Sequence, residues 1–365
     1  METAEDQADF GLRYFQEREV CLTRSVERTF GPEVKAFLSR HADLAHPGTE
    51  VLATAESFNI EALNGKSLHT LINLKRINDL GNPNDFFDHV NAKLPPGGTF
   101  ITCVETQRSR RRRLLNKYPR PLAYPYYALD FILKRIFPKL GATRKIYSLL
   151  TRGQNRVMSM TEAMGRLAAY GFEVLEYQDI GYNTHFVCRK VQVPRHNGSE
   201  VAGLLIRLPR VGQGGRPLNV YKLRTMHPFA EYLQDYVHQR NSVQAGGKFK
   251  GDFRVTGWGR LLRKLWIDEQ PMWINFFKGE MKLVGVRPLS AHYFSLYPPE
   301  LQALRVRDKP GLIPPFYADL PATLEEICAS ERRYLEAYAR CPWTTDLRYF
   351  CKAFYNIFIR RARSS

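Results

Sequence analysis

The stretch from Arg254 to Pro288, RVTGWGRLLRKLWIDEQPMWINFFKGEMKLVGVRP, constrains this chain more than any other. It joins a basic run (Arg260, Arg263, Lys264), an acid pair (Asp268, Glu269), a glycine turn at Gly279 and a closing Gly-x-Arg-Pro. Such a concentration of both charges suits phosphate chemistry. A carboxylate beside cations stays ionised, so Asp268 is placed to act as a nucleophile towards phosphorus while Glu269 holds a divalent metal. Magnesium needs only one or two protein carboxylates when substrate phosphates complete its shell. Leu261, Leu262, Leu265 and Ile267 predict a helix whose apolar stripe is core and whose basic face meets substrate. Pro271 ends that helical turn, leaving the two acids about 100° apart. Taken alone, an Asp-Glu pair is more often a matter of surface ion pairs, here with Arg263 and Lys264.

The order of the surrounding motifs is more specific than any one of them. Lys222 to Met226 (KLRTM), Arg254 to Lys264 (RVTGWGRLLRK), Asp268-Glu269, Asn275 to Pro288 (NFFKGEMKLVGVRP) and Lys309 to Gly311 (KPG) follow in sequence. This series resembles the bacterial sugar transferases, the monotopic polyprenyl-phosphate phosphoglycosyl transferases, over about residues 203–363. The resemblance implies a catalytic Asp268 that forms a covalent phosphosugar, with Glu269 as the magnesium-linked partner and the metal ligand. It further implies Lys222 and Arg224 as diphosphate ligands, Arg263 and Arg287 as cations near a nucleotide diphosphosugar, and Arg254 and Lys309 within the same substrate-binding set. Lys222 and Arg224 also suit ordinary cross-strand pairing with acids. The chain departs from the family pattern at Val286, where proline is usual, at Gln270, where leucine is usual, and from Ile313 to Tyr317. A hydrophobic segment that usually precedes the first hairpin is replaced here by other sequence.

A net charge of +18 over 365 residues favours a polyanionic partner: phosphorylated substrate, anionic head groups or nucleic acid. The six cysteines lack CxxC spacing, which predicts free thiols and no zinc site. The opening METAEDQADFGLRYFQEREV is acidic without an apolar centre, unlike a signal peptide, and no run reaches the ~18 apolar residues of a spanning helix.

The first part of the chain reads as α/β. Residues 1–50 suggest one or two helices with loops. Thr70 to Leu74 and Phe100 to Val104 predict strands around a helix carrying Phe86, Phe87, Val90 and Leu94; Met160 to Tyr170 predicts a helix, and FEVLEYQDI with THFVCRKV a hairpin. This order is similar to the second half of a class I methyltransferase, over about residues 68–191. No glycine-rich GxG turn lies in residues 1–68, so the resemblance implies a degenerate, non-catalytic, partly Rossmann-like module.

Within it, residues 107–140 hold Arg108, Arg110 to Arg113, Lys117 and Arg120, followed by PLAYPYYALDFILKRIFPKL. Cations beside tyrosines and aliphatic residues suit an interfacial helix, each charge adding ~1 kcal/mol at an anionic bilayer. The same composition describes an RNA-binding surface or a solvated loop over a buried stripe of Leu129, Ile132, Leu133 and Ile136.

The expected architecture is a methyltransferase-like domain (1–191), a linker (192–202) and a mainly helical α/β sugar transferase domain with a short β-hairpin (203–365). The expected function is transfer of a sugar 1-phosphate from a nucleotide diphosphosugar to polyprenyl phosphate, using Mg2+, at the cytoplasmic face of a bacterial inner membrane, for exopolysaccharide or lipopolysaccharide-type assembly alongside other glycan-assembly enzymes. A non-catalytic basic protein binding RNA or anionic lipid is the alternative.

Overall fold

The computed structural model describes residues 20–64, 67–139, 141–196, 203–234, 236–237 and 252–360. The chain divides into two compact units, Met1–Ala202 with His227–Gln234, and Gly203–Met226 with Asp235–Ser365. Most of the linker at 192–202 lies outside the described residues.

The first unit is built on a five-stranded sheet in the order β1-β2-β3-β5-β4, formed by β1 (Thr49–Leu52), β2 (Thr70–Arg76), β3 (Thr99–Val104), β4 (Phe172–Ile180) and β5 (Asn183–Lys190). β1, β2 and β3 run parallel, while β5 lies antiparallel to both β3 and β4. Leu71, Ile72, Phe100 and Ile101 are fully buried. A near-continuous buried run of this kind marks a strand covered on both faces. β4 alternates less and leaves most of its centre exposed, as an edge strand does. The helix Met160–Ala169 begins with a capping box: Ser159 accepts from the Glu162 N–H, and Glu162 sits three residues on. It ends at Gly171, where φ is +84° and a Cβ would stand 2.1 Å from the Gln192 carbonyl oxygen. Only glycine fits there.

Two expectations need correction in this unit. The strand Thr49–Leu52 lies at the end of a region read as helices and loops; at four residues it is too short to show a period. Of the basic run, Arg110 turns inward, 2 % exposed, and pairs with Asp130 and Glu105. Leu129, Ile132 and Ile136 are exposed rather than a buried stripe.

The second unit opens with an antiparallel hairpin, β6 (Leu205–Val211) and β7 (Pro217–Leu223), registered from Leu205 opposite Leu223 to Val211 opposite Pro217. A parallel pair, β8 (Lys282–Val284) and β9 (Gly311–Ile313), lies further along, and long helices span Leu324–Arg340 and Pro342–Phe358. Gly285 and Gly311 let the β8 and β9 backbones meet: a Cβ on Gly311 would stand 2.1 Å from the Gly285 nitrogen. One core cluster holds Val284, Val286, Leu301, Tyr334 and Leu335; a second joins Leu218 and Val220 of the hairpin to Met272 and Met281. After His227 a 3-10 turn, Ala230–Leu233, leads into α-helix at Gln234, Tyr236 and Val237, and 238–251 lie outside the described residues.

The apolar stripe expected to be core is instead exposed. In the helix Gly257–Lys264 and the turn after it, Trp258 is 74 % exposed, and Leu261, Leu265 and Ile267 are also exposed. In the helix Pro342–Phe358, Thr345, Ala353 and Asn356 are buried and Tyr349 and Phe350 pack against the Tyr334 cluster, while Trp343 is 90 % exposed and Leu347 and Phe354 face outwards. Asn356 donates to the carbonyls of Tyr317 and Ala318, which holds its polar side inward. No helix among the described residues is long and apolar enough to cross a membrane.

Candidate active site

Three local devices bring the acid pair to the end of β7. Thr256 caps the helix Gly257–Lys264 by accepting from the Gly259 N–H at 2.8 Å, while its own backbone N–H donates to the Thr225 carbonyl at 2.9 Å. A Cβ on Gly259 would stand 2.0 Å from that carbonyl oxygen, so helix and strand end touch backbone to backbone. One turn on, Arg263 Nε donates to Thr225 Oγ1 at 2.9 Å. Thr225 is therefore the hub of this contact, a role that its place in KLRTM did not reveal.

The α-helix then stops. Trp266 adopts a left-handed conformation (φ 55°), uncommon for a bulky residue, and a 3-10 helix, Ile267–Met272, carries both acids. The acids thus sit on this tighter turn and not on the leucine-bearing α-helix. A 3-10 helix rotates by about 120° per residue, which separates the neighbours in environment. Asp268 is buried, 9 % exposed, whereas Glu269 is half-buried.

Lys222 Nζ donates to Glu269 Oε1 at 2.6 Å, and Arg287 Nη2 lies 3.9 Å from the same oxygen. Asn275 fixes the strand that presents Lys222. It is fully buried, accepts from the Tyr221 N–H at 3.1 Å, and donates to the Asn219 carbonyl at 2.8 Å and to Glu280 at 2.7 Å. Lys222, Glu269 and Arg287 line a cleft of about 50 Å3 together with Arg210, Leu312 and Tyr317. That space is larger than a single water needs. Arg210, Asn275 and Tyr317 were not singled out by sequence reading.

Electrostatics divide the site in two. Burial, and then the Glu269 charge, raise Asp268 above the ordinary carboxylate value, opposed by Lys222 and Arg263. Lys222 is lowered by burial and by the like charge of Arg287, against the pull of Glu269 and Asp268. Burial also lowers Arg263 and Arg210, with Arg254 and Arg287 respectively adding like-charge repulsion. Cations this crowded favour an anion brought in from outside. The reading of Asp268 as ionised simply because cations adjoin it left out the cost of burial.

The remaining expected residues are spread more widely. Arg254 is buried and forks onto Asp252 at 2.8 and 2.9 Å. Arg224 Nε donates to the Gly203 carbonyl at 3.0 Å. Lys309 is exposed, its ammonium beside Gly279 and outside the lining of the cleft. Lys222, Arg263, Asp268, Glu269 and Arg287 are brought together; Arg224, Arg254 and Lys309 are not part of that group.

Residues 197–360 match the family model of the bacterial sugar transferases. The chain is similar to an uncharacterized sugar transferase of Bacillus subtilis, 42 % identical over 103 residues that make up 28 % of this chain and 45 % of that protein. It is also similar to the UDP-glucose:undecaprenyl-phosphate glucose-1-phosphate transferase of Caulobacter vibrioides, 40 % identical over 111 residues, 30 % of this chain and 38 % of that one. With the UDP-N-acetylgalactosamine-undecaprenyl-phosphate N-acetylgalactosaminephosphotransferase of Aeromonas hydrophila it shares 36 % identity over 107 residues, 28 % of this chain and 22 % of the relative. The chain spans less than half the length of each of these relatives.

Proposed function

We propose, from the match of residues 197–360 to the bacterial sugar transferases, that this chain moves a sugar 1-phosphate from a nucleotide diphosphosugar to polyprenyl phosphate, for exopolysaccharide or lipopolysaccharide-type assembly. The observation that carries the reading is the gathering of Lys222, Arg263 and Arg287 around one buried and one half-buried carboxylate. Binding a diphosphate among these cations brings negative charge to the place where their own repulsion is greatest. A carboxylate oxygen of Asp268 attacks the phosphorus bearing the sugar, the bond to the bridging oxygen breaks, and the nucleoside monophosphate leaves with that electron pair. An oxygen of polyprenyl phosphate then attacks the same phosphorus, releases the Asp268 carboxylate and gives the polyprenyl diphosphosugar. Splitting the transfer in two lets a soluble donor and a long lipid use the site in turn. Lys222, Arg263 and Arg287 stabilise the charge that grows on the phosphoryl oxygens.

No group of three or more His, Cys, Asp or Glu side chains able to hold a metal occurs among the described residues. The acid pair still fits a magnesium ion of the kind that takes one or two carboxylates and draws its other ligands from a diphosphate and water. Glu269 is the residue that would hold it. When bound, the ion neutralises diphosphate charge.

The exposed apolar side chains of the helices Gly257–Lys264 and Pro342–Phe358 support a peripheral position on the bilayer that carries the acceptor. The test is release of nucleoside monophosphate from a nucleotide diphosphosugar and Mg2+, with a mass increment of one phosphosugar on the intact protein. Wild type gives both and Asp268→Asn gives neither; release that survives in the variant defeats the reading.

A further inference from the structure

The first unit contains a cavity of about 340 Å3 at the start of the helix Pro83–Lys93, within the range of small-molecule sites. Four cations line it, Lys134, Arg135, Arg156 and Arg166, against a single carboxylate, Glu162. A second cavity of the same unit, about 720 Å3 beside β2 and β3, is walled by Lys75, Arg76 and Arg113 against Glu33, Asp79 and Glu105, so its charges cancel. The excess in the smaller cavity is local and not a reflection of the basic chain as a whole.

The three guanidinium groups are each held by hydrogen bonds. Arg135 donates to Glu162 and to the Val157 carbonyl. Arg156 donates to the carbonyls of Gly153 and Gly81, both at 3.0 Å, which orients its guanidinium without neutralising it. Arg166 is 7 % exposed, donates to Asn84 Oδ1, and lies over the Phe229 ring at 4.3 Å. Its Nε is buried with no hydrogen-bond partner. Its Nη2 lies 3.6 Å from Glu162 Oε1, but that carboxylate is shared with Arg135, so a guanidinium taken out of water has one donor unmet and only part of a counter-charge. Burial is also the main force lowering its pKa, with Glu162 opposing. Gly81, Asn82 and Pro83 bring the positive end of the helix to the same wall.

We propose that this cavity is a binding site for a small soluble phosphate ester or diphosphate, held by Arg156 and Arg166 at the helix start. The site lies wholly within the first unit and does not depend on the reading of Asp268. It gives that unit a ligand of its own, read by charge and by the size of the cavity.

The experiment is calorimetric titration and thermal denaturation of the full chain with inorganic pyrophosphate, with sodium chloride at matched ionic strength as control. Wild type is expected to bind and to gain Tm with pyrophosphate but not with chloride. Arg156→Gln weakens binding at least about tenfold, as loss of a charged hydrogen-bonding group to an anion does. Asn84→Asp is the second variant, because an acid in the first helical turn favours the fold while it neutralises Arg166 and repels phosphate. It should keep its Tm without ligand and lose the response to pyrophosphate. Arg111→Gln, exposed and outside the cavity, should bind as wild type does. Absence of any response in wild type, or equal losses in Arg111→Gln and Asn84→Asp, overturns the proposal.

Discussion

Asp130 and Asp268 are both buried aspartates near cations, one in each unit, and their surroundings push them in opposite directions. At Asp130 burial raises the pKa, but Arg110 donates twice, at 2.6 and 2.9 Å, and Lys134 lies at 2.8 Å, so the net direction is down. At Asp268 burial and Glu269 prevail, and the net direction is up. Among the described residues no cation donates a hydrogen bond to it. The first arrangement is satisfied within the fold and supplies rigidity. The second leaves a carboxylate with no cation hydrogen-bonded to it and its cations in mutual repulsion, as the proposed nucleophile would need.

The sharpest break of this contrast comes from removing each charge. Asp268→Asn should lower nucleotide release at least about 10^3-fold, the scale expected for loss of a nucleophile, with secondary structure unchanged by circular dichroism. Activity within tenfold of wild type would place Asp268 with the structural acids. Arg110→Ala removes the buried partner shared by Asp130 and Glu105, leaving Lys134 and Arg113 as their remaining cations, and should cost about 1–3 kcal/mol in urea denaturation. A cost under about 1 kcal/mol would mean that the network is as solvated as a surface pair.

Asn275→Ala tests whether the second site depends on a neutral scaffold. It leaves the Tyr221 N–H and the Asn219 carbonyl without their buried partner, a loss of about 1–3 kcal/mol. Lys222, one residue from Tyr221, should shift with it, raising KM for the donor more than it lowers kcat.

The smallest effect concerns stability against pH. The raised value of Asp268 means that the folded state binds this proton more readily than the unfolded chain does. Its contribution to stability therefore rises as pH falls through the folded-state value, and the ionised form costs stability at neutral pH. Asp130 has the opposite sign: it contributes fully above the ordinary carboxylate value and loses that contribution as pH falls through its lower folded value. Asp268→Asn should thus stabilise the protein at pH 7 by less than about 1 kcal/mol, a gain that shrinks on acidification. A destabilised variant at pH 7 would show that Asp268 is held by pairing, as Asp130 is.

Much of this was legible in the chain. The strands at 70–76 and 99–104, the helix at 160–169 and the hairpin at 172–190 follow from runs of β-branched and aromatic residues set off by glycine and proline. The acid pair and three of its cations were found because motif order keeps residue types together. Thr225 and Asn275 escaped notice because their partners lie far away in sequence, Thr256 and Arg263 for the first and the backbone of Asn219 and Tyr221 for the second, and an uncharged side chain gives no sign of them. Arg110 and Arg254 each pair with an acid, Asp130 and Asp252, a partner that residue type alone does not reveal.

By itself the sequence determined the order of the chemical groups, the positions at which only glycine can stand, and the angular period of each amphipathic helix. The tertiary structure decided which side of a helix meets a neighbour, and so left Trp258, Leu261 and Trp343 exposed while Asn356 went inside. It also decided that Asp268 is buried and Glu269 paired, though they are adjacent. The reason is physical: period and residue type are properties of the local chain, whereas burial and charge coupling depend on distances between groups that only folding brings together.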